Sequence, residues 1–112
     1  MEIDEITVME LIIHAGEARS HAMEALRAAR QQAWAQADEQ LLAASTAARA
    51  AHRIQTELIG ADEGCGKIPV NLILVHAQDH LMNAMLCREL AEEIVMLRRE
   101  MADLRPSLPQ ES

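Results

Sequence analysis

From Leu72 to Leu86 the chain carries a helical stretch whose apolar side chains point in every direction. Leu72, Val75, Met82 and Leu86 share one face, and Ile73, Leu74, Ala77, Leu81, Ala84 and Met85 fill the rest. A helix that is apolar all round is buried all round. The chain has only 112 residues, no Phe or Tyr and one tryptophan, Trp34, so a lone subunit has little bulk with which to cover such a helix. The stretch therefore predicts self-association, with this segment at the centre of an oligomer. The abundance of Ala, Leu, Glu, Arg, Gln and Met favours helix, and strand-forming residues are too sparse to argue for a sheet. The class is all-α.

Three long helical segments are expected, over about 4–30, 33–59 and 70–104, in one domain spanning 1–104, with 105–112 a loose tail beyond Arg105-Pro106. In the first segment Ile6, Met9, Ile13, Gly16 or Glu17, Ser20, Met23 and Leu26 or Arg27 recur about one turn apart. Its middle is small: Ala15, Gly16, Ala18 and Ala22 cost some helix propensity at the glycine but let a neighbouring backbone or ligand come close. His14 and His21 flank that patch and read as exposed or hydrogen-bonded histidines. In the second segment Trp34, Ala37, Leu41, Ala44, Ala48, Ala51, Gln55 and Leu58 form a narrow alanine-rich seam for close packing. His52, Gln55 and Thr56 read as a polar cluster near its end, satisfied locally or supporting a site. The third segment can be capped by Asn71 or a neighbour. Leu90, Ile94, Leu97, Met101 and Leu104 continue its apolar stripe, while Arg88, Glu92, Glu93, Arg98, Arg99 and Glu100 are expected to face water.

Residues 60–69 hold three of the four glycines and a proline and read as a loop. Gly66-Lys67 suggests a phosphate-binding loop, but its spacing from Gly60 is one residue too long and Ile68 stands where Ser or Thr is required. A nucleotide site is rejected. The formal net charge is −8, which argues against nucleic acid or an anionic membrane as the main partner and suits a basic protein. Cys65 and Cys87 have no metal or redox spacing, and neither a signal peptide nor a membrane-spanning run is present. The chain reads as cytoplasmic, with Cys87 a small buried hydrophobe and Cys65 an ordinary loop thiol.

Two imidazoles and a carboxylate interrupt the apolar third segment: His76, Asp79 and His80. At about 100° per residue His76 and His80 lie one turn apart, and Asp79 is the i+3 neighbour of His76. A neutral imidazole is a competent nucleophile at pH 7, so a partly buried His76 with an orienting neighbour suits covalent catalysis, and His80 can orient it or donate to a group it carries. Asp79 shares its direction with Leu72, Leu86, Leu90 and Leu97, the line of deepest contact. A carboxylate there must be paired, protonated or cation-bound. Copies meeting on a symmetry axis would bring Asp79 carboxylates together around a hard cation such as Mg²⁺; a bond to Asn83 is the alternative. A zinc site built on His76, Asp79 and His80 lacks the His-Glu-x-x-His pattern, and His14, His21 and His52 are only speculative further ligands.

With Leu11-Ile12-Ile13-His14-Ala15-Gly16-Glu17-Ala18-Arg19-Ser20, then His52-Arg53-Ile54-Gln55-Thr56-Glu57-Leu58-Ile59, and above all Val75-His76-Ala77-Gln78-Asp79-His80-Leu81-Met82, the chain resembles the enzyme IIA component of the lactose/cellobiose class of the bacterial phosphoenolpyruvate-dependent sugar phosphotransferase system. The resemblance covers roughly Glu5 to Arg99. It implies antiparallel three-helix subunits in a homotrimeric nine-helix bundle, with His76 as the phosphorylated histidine and Asp79 binding a metal, Mg²⁺, on the trimer axis. It also implies partners: the carrier HPr as phosphoryl donor, a cysteine of enzyme IIB as acceptor, and indirectly a membrane IIC component. Ala77 leans toward the cellobiose or diacetylchitobiose branch. One departure is Gln31-Gln32-Ala33-Trp34, where the family has a Gly-Asp or Gly-Asn turn, and the form of that connection stays open. The rival functions are a non-catalytic oligomeric interaction protein and a metal-dependent hydrolase using His76, Asp79 and His80.

Overall fold

The computed structural model describes residues 5–104. The expected tail over 105–112 and the expected helix start at Asp4 lie outside the described residues. Three helices, and no strand, make up the described residues: α1 (Glu5–Arg30), α2 (Trp34–Asp62) and α3 (Leu72–Asp103). Residues from α1, α2 and α3 meet in successive layers. One holds Leu11, Leu58 and Leu74, the next Ala22, Ala44 and Ala91, and the last Ala25, Ala37 and Val95. Numbers rise along α1 and α3 while they fall along α2, so the bundle is up-down-up. The all-α expectation is met within one chain.

Alanine dictates this packing. Ala15, Ala18, Ala22, Ala25, Ala37, Ala44, Ala51, Ala77 and Ala84 are all fully buried, and larger side chains enter the core at few places: Leu11, Leu81 and Val95, with Val8, Leu58 and Leu74 slightly less covered. A methyl side chain lets backbones approach closely, so the larger residues are displaced to the edges. In α1 this overturns the expected register. The buried line is Val8, Leu11, Ala15, Ala18, Ala22, Ala25 and Ala29, whereas Ile6, Met9 and Ile13 are exposed. The seam expected in α2 is found, with Ala37, Ala44, Ala48, Ala51 and Leu58 buried.

Packing is uneven around the bundle. α1 is in extensive contact with both other helices, while α2 and α3 touch much less. What joins α2 to α3 is largely polar: Gln55 Nε2 donates to Gln78 Oε1 at 2.5 Å, Arg88 reaches Ser45 Oγ at 3.4 Å, and Arg99 binds Asp38 at 3.0 Å while stacking over Trp34, 5.2 Å from the ring centroid. The pattern of charges assigns Arg99 to water; the structure turns it across the bundle. Asp38 and the Trp34 ring, on a different helix, offer a guanidinium both a carboxylate and a π face.

Each connection has a local cause. The first is tight: Ala33 N–H donates to Ala28 O at 2.9 Å and Gln32 N–H to Ala29 O at 3.0 Å, the paired bonds of a Schellman motif, with Gln32 in the left-handed region at φ 59°. Glutamine does here what glycine does more cheaply. α2 continues past the expected end at Ile59 because Gly60, Ala61 and Asp62 stay helical, and the break falls at Glu63 and Gly64, both at positive φ. Asp62 organises the loop that follows, accepting from Ile68 N–H at 3.0 Å and Gly66 N–H at 3.4 Å. Those amides are thus committed to a carboxylate, in agreement with the rejection of a phosphate loop. Asn71 caps α3, accepting from Leu74 N–H at 3.0 Å.

α3 is not covered all round within one chain. Leu74, Ala77, Leu81, Ala84, Ala91 and Val95 are buried, whereas Leu72, Val75, Met82, Leu86, Leu90, Leu97 and Met101 are each more than half exposed. Among the described residues, no helix is long and apolar enough to cross a membrane.

Two measurements bear on this packing. Ala22→Leu puts a branched side chain where three alanines meet and should lower stability in urea unfolding by about 1–3 kcal/mol. Gln32→Gly should instead raise it by on the order of 0.5–1 kcal/mol, by relieving a left-handed non-glycine residue.

Candidate functional site

The second and third turns of α3 distribute their polar residues over different surfaces. Ala77 and Leu81, both buried, anchor this part of the helix against the bundle. Around them His76 is exposed and His80 half-buried, and their rings stack with centroids 5.9 Å apart and planes 7° from parallel. His76 is thus more open than its apolar surroundings in the sequence suggest, because the face beside it is left uncovered by the chain's own helices. His80 turns toward α1, where its Nε2 lies 3.5 Å from the point a Cβ would occupy at Gly16. Gln78 turns to the other side and meets Gln55 of α2.

Among the described residues Asp79 is bonded to neither imidazole. It lies exposed in the open apolar stripe of α3, and its Oδ2 accepts from Asn83 Nδ2 at 3.3 Å, the alternative partner read from the sequence. The trio therefore divides into a histidine pair and a separate carboxylate. Among the described residues no group of three or more His, Cys, Asp or Glu side chains is placed to hold a metal ion. A zinc hydrolase centre built on His76, Asp79 and His80 within one chain thus has no ligand set. One carboxylate with an amide beside it suits a hard cation only if further copies add oxygens.

The remaining candidates stay apart from the pair. His14 Nδ1 lies 3.6 Å from Glu17, and His21 Nδ1 is 2.7 Å from Gln40 Oε1, tying α1 to α2. His52 accepts through its backbone carbonyl from Thr56 Oγ1 at 3.0 Å, so the expected polar cluster splits, with Gln55 reaching across to Gln78. Cys65 is an exposed free thiol and Cys87 a half-buried one, its Sγ 4.0 Å from Met23 Sδ. Sequence reasoning missed the Gln55–Gln78 bridge. The only signal for it was two glutamines, each on the inward edge of its own helix.

An exposed imidazole on a rigid helix, with a second imidazole stacked on it, suits a protein that accepts a small electrophilic group and hands it on to another macromolecule. The chain belongs to the family described as "PTS system, Lactose/Cellobiose specific IIA subunit", whose profile matches residues 6–99, and is thereby a phosphotransferase-system component. It is 47% identical over 100 residues to the N,N'-diacetylchitobiose-specific EIIA component of Escherichia coli strain K12, covering 89% of this chain and 85% of that one. It is 40% identical over 104 residues to the lichenan-specific enzyme IIA component of Bacillus subtilis strain 168, covering 93% and 94%. The fold is similar to the crystal structure of the cellobiose-specific enzyme IIA from Bacillus anthracis, with TM-score 0.85, 43% identity and coverage of 92% and 94%. It is also similar to a chain in the solution structure of the Escherichia coli IIA(chitobiose)–HPr complex, with TM-score 0.78, 45% identity and coverage of 91% and 99%.

Proposed function

We propose that this chain is a cytoplasmic phosphocarrier that takes a phosphoryl group from HPr on His76 and passes it to the cysteine of a cognate enzyme IIB. The observation that carries this reading is the open His76 ring stacked on His80, at the position where the resemblance puts the phosphorylated histidine. In the forward step the His76 Nε2 lone pair attacks the phosphorus of the donor's phosphohistidine. The donor N–P bond breaks, and its electron pair stays on the donor nitrogen. In the second step the IIB thiolate attacks the same phosphorus and His76 leaves as imidazole. His80 steadies the ring and the group it carries. The names of the relatives favour a β-linked disaccharide such as cellobiose or diacetylchitobiose as the transported sugar, entering through a membrane IIC component that this chain need not touch.

Both steps use one exposed atom, so donor and acceptor must dock in turn on overlapping surfaces. The net charge of −8 favours a basic donor face and gives the encounter a salt dependence. Incubation with phosphoenolpyruvate, enzyme I and HPr, followed by intact-mass and peptide mass spectrometry, should find one phosphoryl group on His76. His76→Gln should abolish labelling, and, because the residue is exposed, change stability by no more than about 0.5 kcal/mol. A label on His80, or no label, would sink the assignment.

The exposed stripe from Leu72 to Met101 supports assembly into a homotrimer of nine helices, with α3 at the centre. In that assembly each subunit contributes Asp79 to an axial Mg²⁺, the hard cation that carboxylate oxygens suit and that offsets their repulsion. Chelation at neutral pH should loosen the trimer in sedimentation experiments, and added magnesium should restore it. Asp79→Leu should stay trimeric in chelator and remain phosphorylatable on His76, since replacing buried ionic groups by packed hydrophobes is neutral or stabilising by about 1–4 kcal/mol. A monomeric or unphosphorylatable Asp79→Leu protein would remove Asp79 from the assembly role.

A further inference from the structure

Gly16 stands in the middle of α1, where glycine is disfavoured relative to alanine. The two ordinary reasons for such a glycine are both missing. Its backbone is not in the left-handed region that favours glycine. Close packing within the chain does not demand it either: among the described residues a Cβ built there meets a single neighbour within 4 Å, His80 Nε2 at 3.5 Å, which is ordinary van der Waals contact. The adjoining seam positions Ala15, Ala18 and Ala22 carry that Cβ while fully buried. What a methyl at position 16 would do is place carbon against the ring nitrogen of His80, the histidine stacked on His76.

We infer that Gly16 is a positioning residue for phosphoryl transfer: its missing side chain keeps His80 Nε2 uncovered, so that this nitrogen can donate a hydrogen bond to the phosphoryl group carried by His76. The inference rests on the phosphocarrier reading above and adds a residue on a different helix to it. Among the described residues His80 has no hydrogen-bond partner, so the nitrogen is free to bond a ligand. The His76 ring stacked beside it, 5.9 Å away between centroids, is what would carry that ligand. A phosphoryl oxygen needs about 2.7–2.9 Å to such a donor. A methyl in contact with that nitrogen at 3.5 Å would crowd an oxygen bonded to it, so an alanine in place of Gly16 would fit the fold and still hinder the bond.

The test compares wild type, Gly16→Ala, His80→Ala and the double variant in transfer from phosphorylated HPr. Gly16→Ala should melt no lower than wild type, keep the KM for phosphorylated HPr, and lose about tenfold in kcat, equivalent to about 1.4 kcal/mol. Added to His80→Ala it should cost nothing further, because the group it obstructs is gone. Transfer by Gly16→Ala at the wild-type rate, the same tenfold loss on top of His80→Ala, or a lowered melting temperature would each overturn the inference, the last by showing that the glycine serves packing. A measurement on wild type needs no variant to fold. The Nε2–H proton of His80 should become slow to exchange with solvent in nuclear magnetic resonance spectra when His76 is phosphorylated, and continued fast exchange would refute the bond. If wild type takes no phosphoryl group on His76 at all, the phosphocarrier reading fails and this inference with it; if it does and Gly16→Ala is unimpaired, only the inference fails.

Discussion

Close approach of helices through alanine is the constraint on which the rest of this structure depends. Each alanine buries little apolar area, and at about 25 cal/mol per Å² the seam supplies modest stabilisation for its length. What it supplies instead is proximity. With α1 drawn against both neighbours through Ala15, Ala18, Ala22 and Ala25, the bulky residues of α3 have nowhere to go but outward. The long exposed stripe on α3 is therefore a direct result of how small the interior side chains are. A thin core and an unpartnered apolar face are two sides of one choice, and a chain built this way stands to gain stability from copies of itself.

The same geometry sorts the reactive residues. Ala77 and Leu81 fix the rotation of α3, and with that rotation set, His80 falls at the edge beside α1 with His76 stacked on it, Gln78 at the edge beside α2, and Asp79 on the open face. Five consecutive residues thus serve three surfaces, and no loop rearrangement is needed to present the imidazole. A nucleophile on a capped helix starts from a defined orientation, which is what the proposed exchange with two partners at one atom would require.

Much of this was legible from residue order. The alanine seam of α2, the Asn71 cap, the pairing of His76 with His80 and the surplus of apolar surface on α3 all follow from spacing and side-chain chemistry. The register of α1 did not, because a periodic reading gives weight to Ile6, Met9 and Ile13, whereas close packing gives priority to the smallest residue. Arg99 departs from its pattern for a related reason: a charged residue on an amphipathic helix defaults to solvent until a carboxylate and an aromatic face on another helix are known to be within reach. The end of α2 came later than glycine content suggested, since Gly60 tolerates helical backbone and only residues 63 and 64 turn left-handed. The approach of His80 to the space beside Gly16 was foreshadowed only as room for something to come close. Which atom would fill that room depended on the rotation of α3.

The contact of Arg99 with Trp34 has a practical consequence. The chain has one tryptophan and no tyrosine, so its near-ultraviolet emission comes from a single indole with a guanidinium over its face. Along α3, Arg99 lies 23 residues beyond His76, roughly 35 Å at about 1.5 Å per residue. The fluorophore therefore watches the far end of the bundle, where α2 and α3 are clipped together, and is too distant to sense chemistry at the imidazole directly. Any change in its spectrum when a partner docks would mean that the disturbance had travelled the length of a helix, giving this protein a built-in optical gauge of its own rigidity.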